Sequence, residues 1–409
     1  MAIKVVLLTQ WFDPEPTFKG LAFARELVRI GFEVEVITGF PNYPGGQVYS
    51  GYRIRAIQRE VIDGVQITRL PLYPSHDGSA VRRIANYVSF AASSLFYGLF
   101  MLKRPDVIYA YHPPLTVGVT ASLLRLFRRI PVIYDIQDMW PDTLRATGML
   151  NNERVLAVVS RVCQWVYRRV DRIVALSPGF KRLLKERGVP DEKIDVIYNW
   201  CDEAALTPTA RNFPRGFPEN DRFRIVFAGN MGRAQALGTV MEAATLLTKL
   251  RPEVCFVLVG SGVEVEELKH RVATEGLDNV VFIPRVPMSE VGAILGAADA
   301  LLVHLKDDPL FAITIPSKTQ AYMAIGKPLI MAVRGDAAEL VERAGCGVTA
   351  IPESPQSLAE AVIRLAELSA GERALMGECS RRFYAAELSL AVGVAHFASH
   401  FRALARRAV

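Results

Sequence analysis

The stretch Ile315-Pro316-Ser317-Lys318-Thr319-Gln320-Ala321-Tyr322, running on to Gly326-Lys327-Pro328, has residue types that bind phosphate. Ser317 reads as an N-cap, helix formers follow, and Gly326 with Pro328 stops the helix before a strand. Free N–H groups at a helix start attract anions, and Lys318 adds a full positive charge in the first turn. A cation there is unfavourable unless an anion joins it, so the pattern points to a bound diphosphate. Ala228-Gly229-Asn230-Met231-Gly232-Arg233-Ala234-Gln235 follows an apolar run. Its glycines let a ligand approach the backbone, and Arg233 can meet a phosphate through two parallel N–H groups. Val259-Gly260-Ser261-Gly262 is half of a dinucleotide fingerprint. The third glycine is missing where Glu264 and Val265 stand, so NAD is unsupported. Gly335-Asp336-Ala337-Ala338-Glu339 is another strand-to-helix loop, whose amides either reach the same diphosphate or simply start a helix.

A second group of candidates is carboxylate-rich. Tyr134-Asp135-Ile136-Gln137-Asp138-Met139-Trp140-Pro141-Asp142 sets three acids and two aromatics behind the end of a strand. Ligands of open α/β sheets bind at that end, where Asp135 and Asp138 can hold sugar hydroxyls or take a proton from one. Asp142 reads as a cap or an ion-pair partner. His112, in Tyr111-His112-Pro113-Pro114, also ends a strand. None of the six histidines has metal-ligand spacing, and Asp307-Asp308 is not a D-x-D motif, so no catalytic metal is expected.

The elements that must position these residues alternate strand and helix. Apolar β-branched runs at 3–9 and 34–38 enclose a helical stretch, and further runs at 65–69, 107–111, 132–135, 173–176 and 194–197 each follow one, which predicts a doubly wound parallel sheet. A Pro-rich, aperiodic stretch at 207–221 reads as a linker. A second series then begins at 224–229 and continues at 255–259, 280–283, 300–303 and 328–332. The expected architecture is α/β, with two Rossmann-like domains at 1–206 and 222–385 facing a cleft, and a C-terminal helix near 386–409 able to pack back on the first. A length of 409 residues suits two cores, and 51% hydrophobic with 22% charged residues suits a globular chain. The +6 charge is spread without a dense basic stripe, which fits an anionic small molecule or membrane surface and not nucleic acid. Five scattered cysteines without a CxxC, and no signal-peptide layout, predict a reduced, cytoplasmic protein. The stretch 84–102 is uncharged and flanked by Arg82-Arg83 and Lys103-Arg104, but holds Asn86, Ser89, Ser93 and Ser94. It reads as a domain helix, a helix lying in a membrane face, or a span.

Taken together, the Pro14-Glu15-Pro16 loop, Asp135-Ile-Gln-Asp-Met-Trp-Pro, Gly229-Asn-Met-Gly and Ile315-Pro-Ser-Lys through Gly326-Lys-Pro resemble the retaining family 4 glycosyltransferases of the GT-B fold. The likeness extends over nearly the whole chain. It is strongest to the bacterial branch that builds O-antigen, capsule or exopolysaccharide and transfers N-acetyl-fucosamine-type sugars. The resemblance implies that Gly229 to Gln235 (Gly229, Asn230, Gly232, Arg233, Gln235), Gly262, Pro316 to Tyr322 (Pro316, Ser317, Lys318, Gln320, Tyr322) and Gly335 to Glu339 (Gly335, Asp336, Ala337, Glu339) bind a UDP-sugar donor. Arg285 and Val286 would hold its base, and Asp135 falls where many relatives keep a sugar-contacting histidine. The family's E-x7-E pair would fall near Ile313 and Ala321, and its Arg and Lys clamp at Asn230 and Gln235, so Lys318 and Arg233 stand in for those cations. Implied are no cofactor, a polyprenyl-diphosphate-linked sugar or glycan acceptor, and a peripheral place on the inner face of the plasma membrane. Contact with anionic lipid would run through 82–104. Two other readings are a UDP-sugar 2-epimerase-like isomerase and a non-catalytic nucleotide-sugar-binding protein.

Overall fold

A computed structural model of the chain describes residues 2–75, 80–146, 148–206, 216–218 and 222–407. They form two compact units, the first made of residues 1–198 together with the C-terminal segment from Leu390, the second of Asn199–Ser389. The crossing point is thus Tyr198/Asn199, several residues before the boundary read from composition. Of the linker read at 207–221, only 216–218 is among the described residues.

The first unit carries eight strands: β1 (Lys4–Leu8), β2 (Glu33–Gly39), β3 (Gln58–Ile62), β4 (Val65–Leu70), β5 (Val107–His112), β6 (Val132–Ile136), β7 (Arg172–Ala175) and β8 (Ile194–Val196). Their order is β3-β4-β2-β1-β5-β6-β7-β8, parallel throughout except for β3 against β4. Every residue of β5 and β6 is buried, as expected of strands covered by helices on both faces. Strand β3 was missed in the sequence because Gln-Arg-Glu-Val-Ile carries too little apolar patterning; it is an edge strand, half in water. The chain reverses its direction of growth between β1 and β5, so the loops after these strands part and leave a crevice at the carboxyl edge.

The helix Leu390–Arg407 belongs to this unit. Phe397 is fully buried, with its ring 5.3 Å from Phe23 and 5.4 Å from Tyr109, and Phe401 meets Phe32 at 5.9 Å. The helix Ala80–Phe100 is fastened to the same unit by polar side chains. Gln10 Nε2 donates to Asn86 Oδ1 at 2.5 Å, Asn86 Nδ2 to the Tyr73 carbonyl at 2.7 Å, and Ser93 Oγ to the Pro71 carbonyl at 2.8 Å. Tyr97 is buried and donates to Glu35, so it faces the core. Among the described residues no helix is long and apolar enough to cross a membrane.

The second unit is an all-parallel six-stranded sheet: β9 (Phe223–Asn230), β10 (Val254–Ser261), β11 (Val280–Pro284), β12 (Ala300–His304), β13 (Leu329–Ala332) and β14 (Gly347–Thr349), ordered β11-β10-β9-β12-β13-β14. Strand β14 has three residues, too few for a periodic signal. One core runs from Ile225, Phe227, Phe256 and Leu302 to Val240, Leu247, Leu358 and Leu365 on the covering helices. Here the order reverses between β9 and β12, which sets the crevice above those two strands.

Candidate functional site

The carboxyl edge of the second sheet is built from glycine. The register sets Gly229, Gly260 and Pro284 side by side across β9, β10 and β11. Gly229 and Gly260 have φ of +143° and +140°, which side chains rarely adopt. A Cβ on Gly260 would lie 2.0 Å from the Gly229 carbonyl oxygen, and one on Gly262 2.2 Å from that of Met231. The backbones therefore touch, and their edge stays open to a ligand. Arg285 and Val286 follow directly on β11 at that edge, Arg285 exposed and Val286 half-buried. Asn230 and Arg233 are exposed, and Gln235 Oε1 accepts from the Gly232 N–H at 3.0 Å, closing the loop after β9 on itself.

Lys318 reaches this edge from the helix Ser317–Ile325. Its Nζ lies 3.4 Å from the centre of the Phe227 ring and 3.3 Å from where a Cβ on Gly229 would sit. No hydrogen-bond acceptor among the described residues meets it, and burial pulls its pKa down to about 7. The helix start differs from the reading of Ser317 as its N-cap. Pro316 occupies the cap in an extended conformation, Ser317 is the first helical residue and exposed, and no side chain accepts from the first-turn amides. No acid stands in that turn either. An uncapped helix start beside a buried amine has the donors that an anion could satisfy.

The neighbouring helix, Asp336–Ala344, contrasts with it. Gly335 has φ +71°, and a Cβ there would lie 2.1 Å from the Ala312 carbonyl oxygen, so the loop needs glycine. Asp336 and Glu339 occupy the first turn, with Asp336 and Ala337 buried and Glu339 exposed. Two acids already complement that helix start, which suits hydroxyl groups better than phosphate. Tyr322 is buried; its hydroxyl accepts from the Ala228 N–H at 2.8 Å and returns to the Ala228 carbonyl. Tyr322 therefore fastens the helix to β9 and keeps Lys318 in place, while Gln320 is buried one turn in. His304, absent from the sequence candidates, ends β12 at the same edge and donates from Nδ1 to the Gln235 carbonyl at 2.7 Å.

The first unit's candidates separate. Asp135 is wholly buried: Lys19 Nζ lies 3.3 Å away, the Tyr109 hydroxyl donates at 2.6 Å and Gln137 Nε2 at 2.7 Å. The reading of Asp135 as a sugar or proton contact is corrected by this geometry, since both oxygens are engaged and none reaches solvent. Asp142 pairs with Arg187, a structural role. His112 is buried beside Trp140 and Tyr134, and burial lowers its pKa to about 3. It is neutral at physiological pH and a weak proton acceptor. Asp138 remains. Burial raises its pKa to about 6, and its carboxylate meets no hydrogen-bond donor or cation among the described residues. Its charge is felt by Tyr43, Tyr87 and Tyr111. Trp11 lies 4.7 Å from Tyr43 and 6.4 Å from Tyr87, ring centre to ring centre. Glu15 holds the loop by accepting from the N–H groups of Asn42 and Tyr43 at 2.7 and 2.8 Å. Burial raises the Glu15 pKa to about 7. Among the described residues no group of three or more His, Cys, Asp or Glu is placed to hold a metal ion.

Two Rossmann-like units of this kind occur in many enzymes, and comparison with known proteins gives the class. Residues 21–200 match the Glycosyl transferase 4-like domain and residues 209–383 match Glycosyl transferases group 1. The chain belongs to these glycosyltransferases and has the GT-B fold. A protein of Escherichia coli named as the colanic acid biosynthesis glycosyl transferase WcaI is 29% identical over 87% of this chain and 90% of its own. The 2-deoxystreptamine glucosyltransferase of Streptomyces kanamyceticus is 25% identical over 91% and 96%. Anabaena HepE, solved in complex with UDP and glucose, superposes with a TM-score of 0.69 at 17% identity, covering 98% of this chain and 100% of that one. The sucrose-phosphate synthase of Thermosynechococcus elongatus gives 0.74 at 17% identity over 98% and 99%.

Proposed function

We propose that this glycosyltransferase moves a sugar from a UDP-sugar, with retention of configuration, to a lipid-linked or glycan acceptor in surface-polysaccharide assembly. The observation that carries the donor is the buried, unpartnered Lys318 amine beside Gly229 at an uncapped helix start. Diphosphate oxygens satisfy that amine and the first-turn amides together, with Arg233 closing from solvent. In this reading Asp336 and Glu339 accept from donor hydroxyls, and Arg285 with Val286 holds the base. As the bond to the sugar breaks, negative charge grows on the leaving diphosphate, where Lys318 and the amides stabilise it. That oxygen takes the proton of the acceptor hydroxyl, so no strong protein base is needed; Asp138 orients the hydroxyl. The similarity to a protein named for colanic acid biosynthesis supports a surface-glycan acceptor, and HepE with UDP supports the donor. A lipid-linked acceptor brings the protein to the inner membrane face, against the helix Ala80–Phe100.

The test is transfer followed by mass spectrometry, with UDP-glucose and a UDP-linked N-acetylated 6-deoxyhexosamine as donors and a polyprenyl-diphosphate sugar as acceptor. A new glycan of retained anomeric configuration, formed equally with excess EDTA, is expected. Epimerised donor without transfer, an inverted product, or activity that needs added magnesium would each overturn the corresponding part.

A further inference from the structure

His304 Nδ1 meets the Gln235 carbonyl, an acceptor, so the ring proton sits on Nδ1 and Nε2 carries a bare lone pair. That Nε2 is buried and has no hydrogen-bond partner among the described residues. An orphaned polar atom costs stability unless something arrives to satisfy it.

Its position says what arrives. Strand β12 pairs with β9 through Ala300 and Ile225, then Leu301 and Val226. Ala300 and Leu302 share one core face with Ile225 and Phe227. His304, two residues beyond Leu302, therefore stands on the face of Phe227, over whose ring the unpartnered Lys318 amine lies. The charged groups the ring feels are Lys318, from the helix, and Glu353, from the loop after β14, and they act in opposite directions. Burial outweighs both and holds the ring neutral below the usual histidine range. The amine has protons to give and Nε2 a lone pair to receive one, yet among the described residues neither bonds the other or any third group. An anionic oxygen satisfies Lys318 as it stands, and His304 once a proton has joined Nε2.

We propose that His304 is a second diphosphate-binding side chain, which takes a proton from water at Nε2 as the nucleoside diphosphate arrives and donates it to a phosphate oxygen beside Lys318. The inference rests on the donor site described above and adds to it a proton taken up on binding.

Titration calorimetry with UDP near pH 6, in buffers of different ionisation enthalpy, reads the protons exchanged. Protons contributed by UDP and by Lys318 are common to wild type and a His304→Asn variant, so their difference isolates His304. Asparagine keeps a donor for the Gln235 carbonyl and removes Nε2. Wild type should take up as much as one proton more, and bind UDP more tightly than the variant by a factor that shrinks towards pH 8. Equal proton numbers with UDP bound by both would overturn the role of His304 and leave the donor site standing. If neither protein binds UDP, the donor site itself falls. Wild type alone gives a second reading: one imidazole proton resonance should shift to its protonated position when UDP is added. Six unshifted histidines would also overturn the proposal.

Discussion

Lys318 shows how a single residue trades stability for binding. Its folded pKa, about 7, lies below the ordinary 10.5, so the fold disfavours the charged amine. That cost is full below about pH 7 and fades as pH rises towards the unfolded value. Lys318→Met should therefore stabilise the ligand-free protein at neutral pH, by roughly 2–4 kcal/mol at the upper bound. UDP should then bind about ten- to a hundred-fold more weakly, because a charge-assisted contact is lost. Thermal unfolding with and without UDP reads both effects, and unchanged UDP affinity would remove Lys318 from the site. Asp138 runs the other way. Its pKa is raised to about 6, so it is a carboxylate only above that value. Transfer should fall as pH drops through about 6, and Asp138→Asn should flatten that limb and cost roughly ten- to a hundred-fold in kcat. The variant should not lose thermal stability at neutral pH, since the charged form is the one the fold disfavours. A full acid limb in Asp138→Asn would assign it to another group.

Among the elements, the helix Ala80–Phe100 carries the membrane question. Its Asn86, Ser89 and Ser93, which count against a span, are the side chains that bind it to neighbouring loop backbone and to Gln10. Arg128 caps its far end by donating to the Gly98 and Leu102 carbonyls. Ile84, Val88, Phe96 and Phe100 are exposed along the same helix, the last at 73%. Arg82, Lys103 and Arg104 flank them, also exposed. That arrangement suits an interfacial helix on anionic lipid, each basic residue adding about 1 kcal/mol near the surface. Changing Phe96 and Phe100 to serine should leave unfolding within about 0.5 kcal/mol, as at other exposed positions. Flotation with anionic liposomes at low salt should drop sharply. Undiminished flotation would move the lipid contact elsewhere.

Across the whole molecule the chain passes from the first unit to the second at Tyr198/Asn199 and returns at Ser389/Leu390. The returning helix fills the first unit's core with Phe397 and Phe401. The β-α alternation, the two-unit plan and the glycine-lined edge at 229–262 were legible in the sequence. Periodicity and glycine freedom act over a few residues, so they leave local traces. The helix start at 317 was legible for the same reason, although its cap was misplaced by one residue because serine and proline both favour that end. What the sequence could not show is which polar groups are satisfied. Asp135 is enclosed by Lys19, Tyr109 and Gln137, whereas Asp138, three residues on, meets no hydrogen-bond donor or cation among the described residues. Likewise nothing in Leu302-Val303-His304 marks His304. Its importance comes from Gln235 on one side and Lys318 on the other, both brought near by the sheet. Strand patterning is a property of neighbours along the chain. Burial and unmet hydrogen bonds belong to neighbours in space, and only the tertiary structure decides those.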